Sequence, residues 1–184
     1  HKTFDNYLYA KKRLFSDILN TNGIAVINRD SNEYDYLESV CNEKNLKIIS
    51  YGFHKESVLR LLSTNPCDEG QKVKIKIENK TFTFVLSLFG SFQSHNALCA
   101  LGLVIASGKS AVDSIDAMKL LKGVRGRMDL VATLPNNSKI FVDYAHTPAA
   151  LETALLASRE YCRSKIYLVF GCGGDRDKIK RKQM

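Results

Sequence analysis

The stretch Ile140-Phe-Val-Asp-Tyr-Ala-His-Thr-Pro148, read with Val169-Phe-Gly-Cys-Gly-Gly-Asp-Arg-Asp177, decides how this chain is expected to fold. Ile140, Phe141 and Val142 form a short apolar run that predicts a buried strand, and Asp143 ends it. Thr147 is a good N-cap and Pro148 suits the first helical position, so a helix over about 148–162 follows. Leu151, Ala154, Leu155 and Cys162 fall along one of its faces. Lys165 to Phe170 reads as a second strand. Strand, helix, strand implies a right-handed βαβ unit with parallel strands. Ligands of such sheets bind beyond the carboxyl ends of the strands. Asp143 and His146 leave the first strand at that edge, and the loop from Gly171 to Arg176 leaves the second. A helix N-terminus there also favours anions. The glycines match neither a Walker A loop nor the dinucleotide fingerprint, so the loop is not a nucleotide cradle by itself, and a plain tight turn stands beside the ligand-binding reading.

The rest of the chain alternates helices and strands. Thr3 to about Leu19 predicts a helix, with Phe4, Tyr7, Leu8, Leu14, Phe15 and Ile18 as its apolar stripe. Strands are predicted at Ile24–Ile27, Leu46–Ser50 and Ser57–Leu62, with a helix over Glu33–Glu43. Lys72–Glu78 and Thr81–Leu88 alternate strictly, and Asn79-Lys80 between them reads as a hairpin turn. Helices are predicted over 94–107 and 112–121, and Pro135-Asn-Asn breaks an interdomain link at Val131–Ser138. The pattern predicts an α/β fold, a mostly parallel sheet with an antiparallel hairpin.

Composition narrows the function classes. A length of 184 residues allows one large domain or parts of two. No segment approaches a membrane-spanning helix, and no signal peptide is expected. Five cysteines at scattered spacing predict neither a disulfide framework nor a zinc site, and a cytoplasmic location is the default. Cys99 and Cys162 read as small core residues of helices, and His54 and His95 as structural. The net charge of +8 raises nucleic acid as a partner, but the basic residues are dispersed apart from Lys178–Lys182. No nucleic-acid or membrane partner is expected.

Lys11 lies four residues after Tyr7 and three before Leu14, so it shares the apolar face of the first helix, while Lys12 points to solvent. Burial there would favour the neutral amine, which can add carbon dioxide to form a cation-holding carbamate. The alternative is a stem laid along the core with its head in water.

The motifs, taken together, resemble those of the Mur ligase family, MurE type. The resemblance rests on Val142-Asp-Tyr-Ala-His-Thr-Pro148, Phe170-Gly-Cys-Gly-Gly-Asp-Arg-Asp-Lys178 with Lys180-Arg181, and Gly126-Arg-Met-Asp129. Gly90-x-Phe92 through Asn96, and Thr3-Phe-Asp-Asn-Tyr7 with Ala10-Lys-Lys-Arg-Leu-Phe15, complete it in family order. It implies that residues 1–133 are the C-terminal part of a central P-loop-type ATPase domain. Residues 134–184 would be the first βαβ unit of a Rossmann-like C-terminal domain. The implied activity is ATP-dependent ligation of a third amino acid, meso-diaminopimelate or L-lysine, to UDP-MurNAc-L-Ala-D-Glu through an acyl phosphate, in peptidoglycan synthesis. The implied partners are that UDP-MurNAc-dipeptide and the free amino acid, with ATP and Mg2+.

The resemblance also assigns roles. Lys11 would be the carbamylated lysine beside Mg2+, and Arg127 would reach the ATP phosphates. Asn96 would contact adenine, Asp143 the ribose, and His146 would sit by the nucleotide. Arg176 would clamp the incoming amino acid's carboxylate. Gln93 departs from the motif, which has Asn there, and His1 resembles a non-ligating histidine of an upstream pair. The Walker A loop is expected upstream and an Asp-Asn-Pro-Arg specificity motif downstream, so an internal fragment, inactive alone, is expected. A folylpolyglutamate or cyanophycin type ligase, or a non-catalytic nucleotide-binding module, are the competing readings.

Overall fold

The computed structural model of the chain describes residues 3–173 and 178–184. Thr3 caps the first helix by accepting the Asn6 N–H on its hydroxyl at 3.2 Å. That helix, α1, spans Phe4–Arg13 and runs on into a π-helical turn, Leu14–Ile18. Then come β1 (Ile24–Asn28), α2 (Tyr34–Glu43), β2 (Lys47–Gly52), β3 (Leu59–Cys67), β4 (Gly70–Ile77) and β5 (Lys80–Leu86). They are followed by α3 (Phe92–Ala106), α4 (Ala111–Met118), β6 (Asp129–Thr133), β7 (Lys139–Val142), α5 (Pro148–Glu160) and α6 (Lys178–Gln183).

The main sheet has the order β1-β2-β3-β4-β5. β1 to β3 pair in parallel, and β3, β4 and β5 form an antiparallel meander. The class is α/β, as the alternation of elements predicts, with an antiparallel part larger than one added hairpin. Its turn is Glu78-Asn79, one residue earlier than Asn79-Lys80, because Lys80 already pairs with Ile77. Alternation decides the faces. On β1, Ala25 and Ile27 join Tyr34, Cys41 and Leu46 in a core under α2. Val26 turns the opposite way, toward α3, where Gly102 lets helix and sheet approach closely. Farther along the sheet, Leu59, Leu61, Val73, Ile75 and Leu86 pack on Ala97, Leu98 and Leu101 of α3 and on Ile115 and Met118 of α4. Of the cysteines, Cys41 is fully buried, while Cys99 and Cys162 are half-buried.

Three expectations are corrected. First, the apolar stripe of α1 is not buried: no residue of that helix is, and Phe4, Tyr7 and Tyr9 are exposed. Lys12, expected in solvent, is half-buried with its ammonium 5.9 Å from the centre of the Tyr36 ring of α2, and the continuation of α1 packs through Phe15 and Leu19 against the α2 core. Second, the link expected at Val131–Ser138 is the turn of a hairpin. β6 and β7 pair antiparallel, and Leu134 N donates to Ser138 O at 2.8 Å across the bend.

Third, the parallel βαβ unit does not form. The strand β7 and the helix α5 are where the pattern places them, and Thr147 caps α5 by accepting Ala150 N–H at 3.2 Å with Pro148 in the first turn. The partner of β7, however, is β6. Residues 165–170 form no strand; Tyr167 is 87% and Val169 99% exposed. A cavity of about 1080 Å³ separates this segment from β7 and α5. An apolar run becomes a strand only where another ladder satisfies its backbone, and none among the described residues does so. No helix among the described residues is long and apolar enough to cross a membrane.

Candidate functional site

The first turn of α3 is tied from several directions, and most of the expected site residues lie around it. Gln71 of β4, itself buried, donates through Nε2 to Leu88 O and Gly90 O and accepts from Ser94 Oγ. This fixes the loop that enters α3. Ser91 makes no side-chain cap of its own. Instead Glu160 of α5 supplies the acceptors: Ser91 N donates to Oε2 at 3.1 Å and Ser91 Oγ to Oε1 at 2.6 Å. A carboxylate at a helix N-terminus also meets the positive end of the helix dipole.

Next to it, Gly90 N donates to the Tyr161 hydroxyl at 3.2 Å. Burial holds the Tyr161 phenol above its ordinary value, the Gly90 contact opposing this. Phe89 meets both Phe141 and Tyr161 edge-on, with Lys139 Nζ 5.2 Å from the Phe89 ring centre. Together with Met128 and Ala157 they form a third core, which joins β7 and α5 to the start of α3.

From the other side comes Asp30, just past the end of β1. Its carboxylate accepts Phe53 N–H at 2.7 Å, His54 N–H at 2.9 Å and His95 Nε2 at 3.1 Å. Burial alone would raise this carboxyl; the Phe53, His95 and His54 contacts outweigh it and hold it below the usual carboxylate range. The node locks the carboxyl ends of β1 and β2 to α3, the edge of a parallel sheet where ligands bind. His95 is therefore structural, as expected; His54 is exposed and contributes its backbone to the same node.

The Gly126–Asp129 turn lies against these elements. Gly126 N donates to Asp129 Oδ2 at 3.2 Å, and Tyr144 N to Gly126 O at 2.8 Å. Met128 N donates to Asp143 Oδ2 at 2.8 Å. One Asp143 oxygen thus braces the turn, and the other keeps its acceptor capacity. Arg127 emerges from the turn exposed, its guanidinium 5.2 Å from the centre of the Tyr144 ring. Tyr144 stacks in turn near His146, with ring centres 5.2 Å apart. His146 Nδ1 lies 3.0 Å from Tyr144 O. A carbonyl only accepts, so Nδ1 carries the proton there and Nε2 faces outward as an acceptor in the neutral ring.

Gln93 connects the two sets. It is 7% exposed, donates Nε2 to Arg127 O at 3.3 Å, and accepts Asn96 Nδ2 at 3.0 Å. The structure therefore gathers Asn96, Arg127, Asp143 and His146, four of the expected residues, into one connected group. Such a group offers an amide, a carboxylate oxygen, an imidazole and a permanent cation to an anionic ligand with polar rings.

Two expected residues stand apart. Lys11 is exposed on α1, and its ammonium lies 5.3 Å from the Tyr7 ring of its own helix. The burial expected for this face of α1 is not found at Lys11. Arg176 lies outside the described residues, as do Gly174, Asp175, Asp177 and His1. Gly171 to Gly173 are described and form no regular element. The large cavity beside β7 is reached by Asp143 alone among the candidates. Among the described residues no three His, Cys, Asp or Glu side chains converge to hold a metal. Sequence reasoning missed Tyr144, Glu160 and Asp30. A residue two after a strand in a parallel sheet, as Asp30 is, was the available signal.

Comparison with known proteins places this geometry. The Mur ligase middle domain matches residues 1–104, and the Mur ligase glutamate ligase domain matches residues 126–184. The UDP-N-acetylmuramoyl-L-alanyl-D-glutamate–2,6-diaminopimelate ligase of Zymomonas mobilis is 38% identical over 184 residues, covering all of this chain and 38% of that protein. The protein of the same name from Rickettsia montanensis is 40% identical over 186 residues, with the same coverage. The chain thus spans 38% of the length of these relatives. A solved diaminopimelate ligase of this name superposes with a TM-score of 0.75 at 29% identity over the whole chain, 38% of its own. The MurF of Acinetobacter baumannii superposes at 0.73 with 16% identity, over 85% of this chain and 33% of its own, a likeness of fold.

Proposed function

Because this chain belongs to the Mur ligase family, we propose that it is the nucleotide-facing portion of a ligase acting in the cytoplasm. That ligase adds a third amino acid to UDP-MurNAc-L-Ala-D-Glu in peptidoglycan synthesis, at the expense of ATP. Diaminopimelate is the favoured amino acid, since relatives at 36–40% identity carry it in their names. The observation that carries the reading is the connected group of Asn96, Gln93, Arg127, Asp143, Tyr144 and His146. It draws on both matched domains, which is what a nucleotide held between them requires.

The residues fit ATP. Asn96 offers the amide face that adenine N6 and N7 call for. Asp143 keeps one oxygen for ribose hydroxyls, and Arg127 supplies a forked cation for phosphate oxygens. Bound ATP would supply the phosphoryl group that activates the dipeptide's terminal carboxylate. Positioning and charge neutralisation then dominate the catalysis, tasks suited to Arg127.

The described residues do not by themselves compose a magnesium site. Lys11 as a carbamylated lysine, and Arg176 as the clamp on the amino acid's carboxylate, stay in the proposal on their motifs. So does the two-part division of the chain. The β6–β7 hairpin favours a crossover between α4 and β6 over one at residues 133/134, since a cut there would separate paired strands.

The test uses the full-length protein. Phosphate release from ATP is measured with UDP-MurNAc-L-Ala-D-Glu and either diaminopimelate or lysine. Release that needs both the dipeptide and diaminopimelate is expected. No acceptor-dependent release with either amino acid would overturn the reading, and release with a folate acceptor instead would move the chain to the folylpolyglutamate ligases.

A further inference from the structure

Gln93 occupies a motif position where the family resemblance leads one to expect a second asparagine facing the base. Its side chain does not face outward: it is buried and spans Asn96 and the backbone of Arg127. The chemistry of its two contacts fixes the orientation of both amides. Arg127 O is a carbonyl and can only accept, so Gln93 must present Nε2 to it. Gln93 Oε1 therefore faces Asn96, and Asn96 must answer with Nδ2. Asn96 Oδ1 is left pointing away from Gln93, with one hydrogen of Nδ2 still unused. Free asparagine amides can rotate by half a turn and exchange donor for acceptor; this one is held against that exchange.

We propose that Gln93 is a specificity-determining positioning residue, which locks the Asn96 amide so that the site accepts a 6-amino purine and rejects a 6-keto purine. The inference rests on the reading of Asn96 as the adenine contact. An amide fixed with Oδ1 outward and one Nδ2 hydrogen available matches adenine, whose N6 donates and whose N7 accepts. Hypoxanthine and guanine present acceptors at both O6 and N7. Against the fixed Oδ1, their O6 meets a second acceptor and leaves both groups unpaired. A rotatable amide would turn its NH2 toward O6 and recover part of that loss. Gln93 removes this escape. Its contact to Arg127 O also couples the base contact to the turn that carries Arg127.

The experiment compares ATP with ITP in the full-length protein, as dissociation constants and as kcat/KM. Unsubstituted protein is expected to prefer ATP strongly. Gln93→Leu frees the Asn96 amide and is expected to lower the ATP:ITP ratio about tenfold, the scale of one net hydrogen bond. Damage to folding alone would weaken both nucleotides alike and leave the ratio unchanged. Gln93→Glu keeps an acceptor toward Asn96 while losing the donor to Arg127. It is expected to hold the ratio within about threefold of the unsubstituted protein, less than the loss of one net hydrogen bond. An unchanged ratio in folded Gln93→Leu would overturn the inference, as would a collapse of the ratio in Gln93→Glu. A full-length protein that binds neither nucleotide would instead overturn the reading of Asn96 on which the inference stands.

Discussion

Substituting Gly52 by alanine is expected to cost about 2.5–6 kcal/mol, summing backbone strain and the loss of one charged hydrogen bond. Gly52 ends β2 with φ +134°, a conformation L-residues rarely adopt. Holding alanine there costs roughly 1–3 kcal/mol. A Cβ built at this position would also sit 2.4 Å from Asp30 Oδ2 and 2.6 Å from its Cγ. The carboxylate must move, and it accepts from Phe53 N, His54 N and His95 Nε2. Each hydrogen bond to a charged group contributes about 1.5–3 kcal/mol, so losing even one adds that much. The assay is urea unfolding followed by far-ultraviolet circular dichroism, applied as a cycle with Asp30→Ala. In the Asp30→Ala background only the backbone strain remains, about 1–3 kcal/mol, so the two changes couple strongly. A loss below about 1 kcal/mol for Gly52→Ala, or the same loss in both backgrounds, would refute the reasoning, since contacting residues should not be additive. The result bears on function because His95 neighbours Asn96 in the first turns of α3.

Four further outcomes are expected. The Asp30 carboxyl is held below its ordinary 3.8, so its stabilisation is complete above that value and is lost as pH falls through the lower folded one. The stability difference between the unsubstituted chain and Asp30→Asn should therefore shrink as pH falls from about 4 toward the lower folded value; a difference that grows over that interval contradicts this. Tyr161→Phe removes the acceptor of Gly90 N–H and should cost about 1 kcal/mol in denaturant titration, with no change if that contact does not matter. Leu59, fully buried between sheet and helices, should cost about 2–5 kcal/mol on truncation to alanine, whereas exposed Leu120 should stay within about 0.5 kcal/mol. In the full-length ligase, Lys11→Ala should slow turnover by roughly 10²-fold or more, as loss of an electrostatic group at the reacting phosphate does, with recovery in short carboxylic acids. Unchanged turnover would remove the carbamate from the proposal.

Much of the fold was legible in the amino-acid order. The strict alternation of β4 and β5, the Thr147-Pro148 start of α5 and the Thr3 cap of α1 are local patterns, and each element forms there. The motif residues Asn96, Arg127, Asp143 and His146 come together in the structure, while their roles toward a nucleotide belong to the proposal. What was missed depended on neighbours. A stripe on α1 implied burial, but burial needs a surface laid along the whole stripe, and no residue of that helix is buried. The apolar run at 165–170 has the composition of a strand, but β7 found its ladder in β6.

By itself, the sequence determined where backbone could turn, cap and extend, because those choices depend on a few adjacent residues whose sterics and hydrogen bonds act at short range. Only the tertiary structure decided which strand pairs with β7, that Lys11 stays in solvent, and that Gln93 turns inward to hold Asn96. Those outcomes compare the free energies of contacts between distant segments. No single segment carries such a comparison.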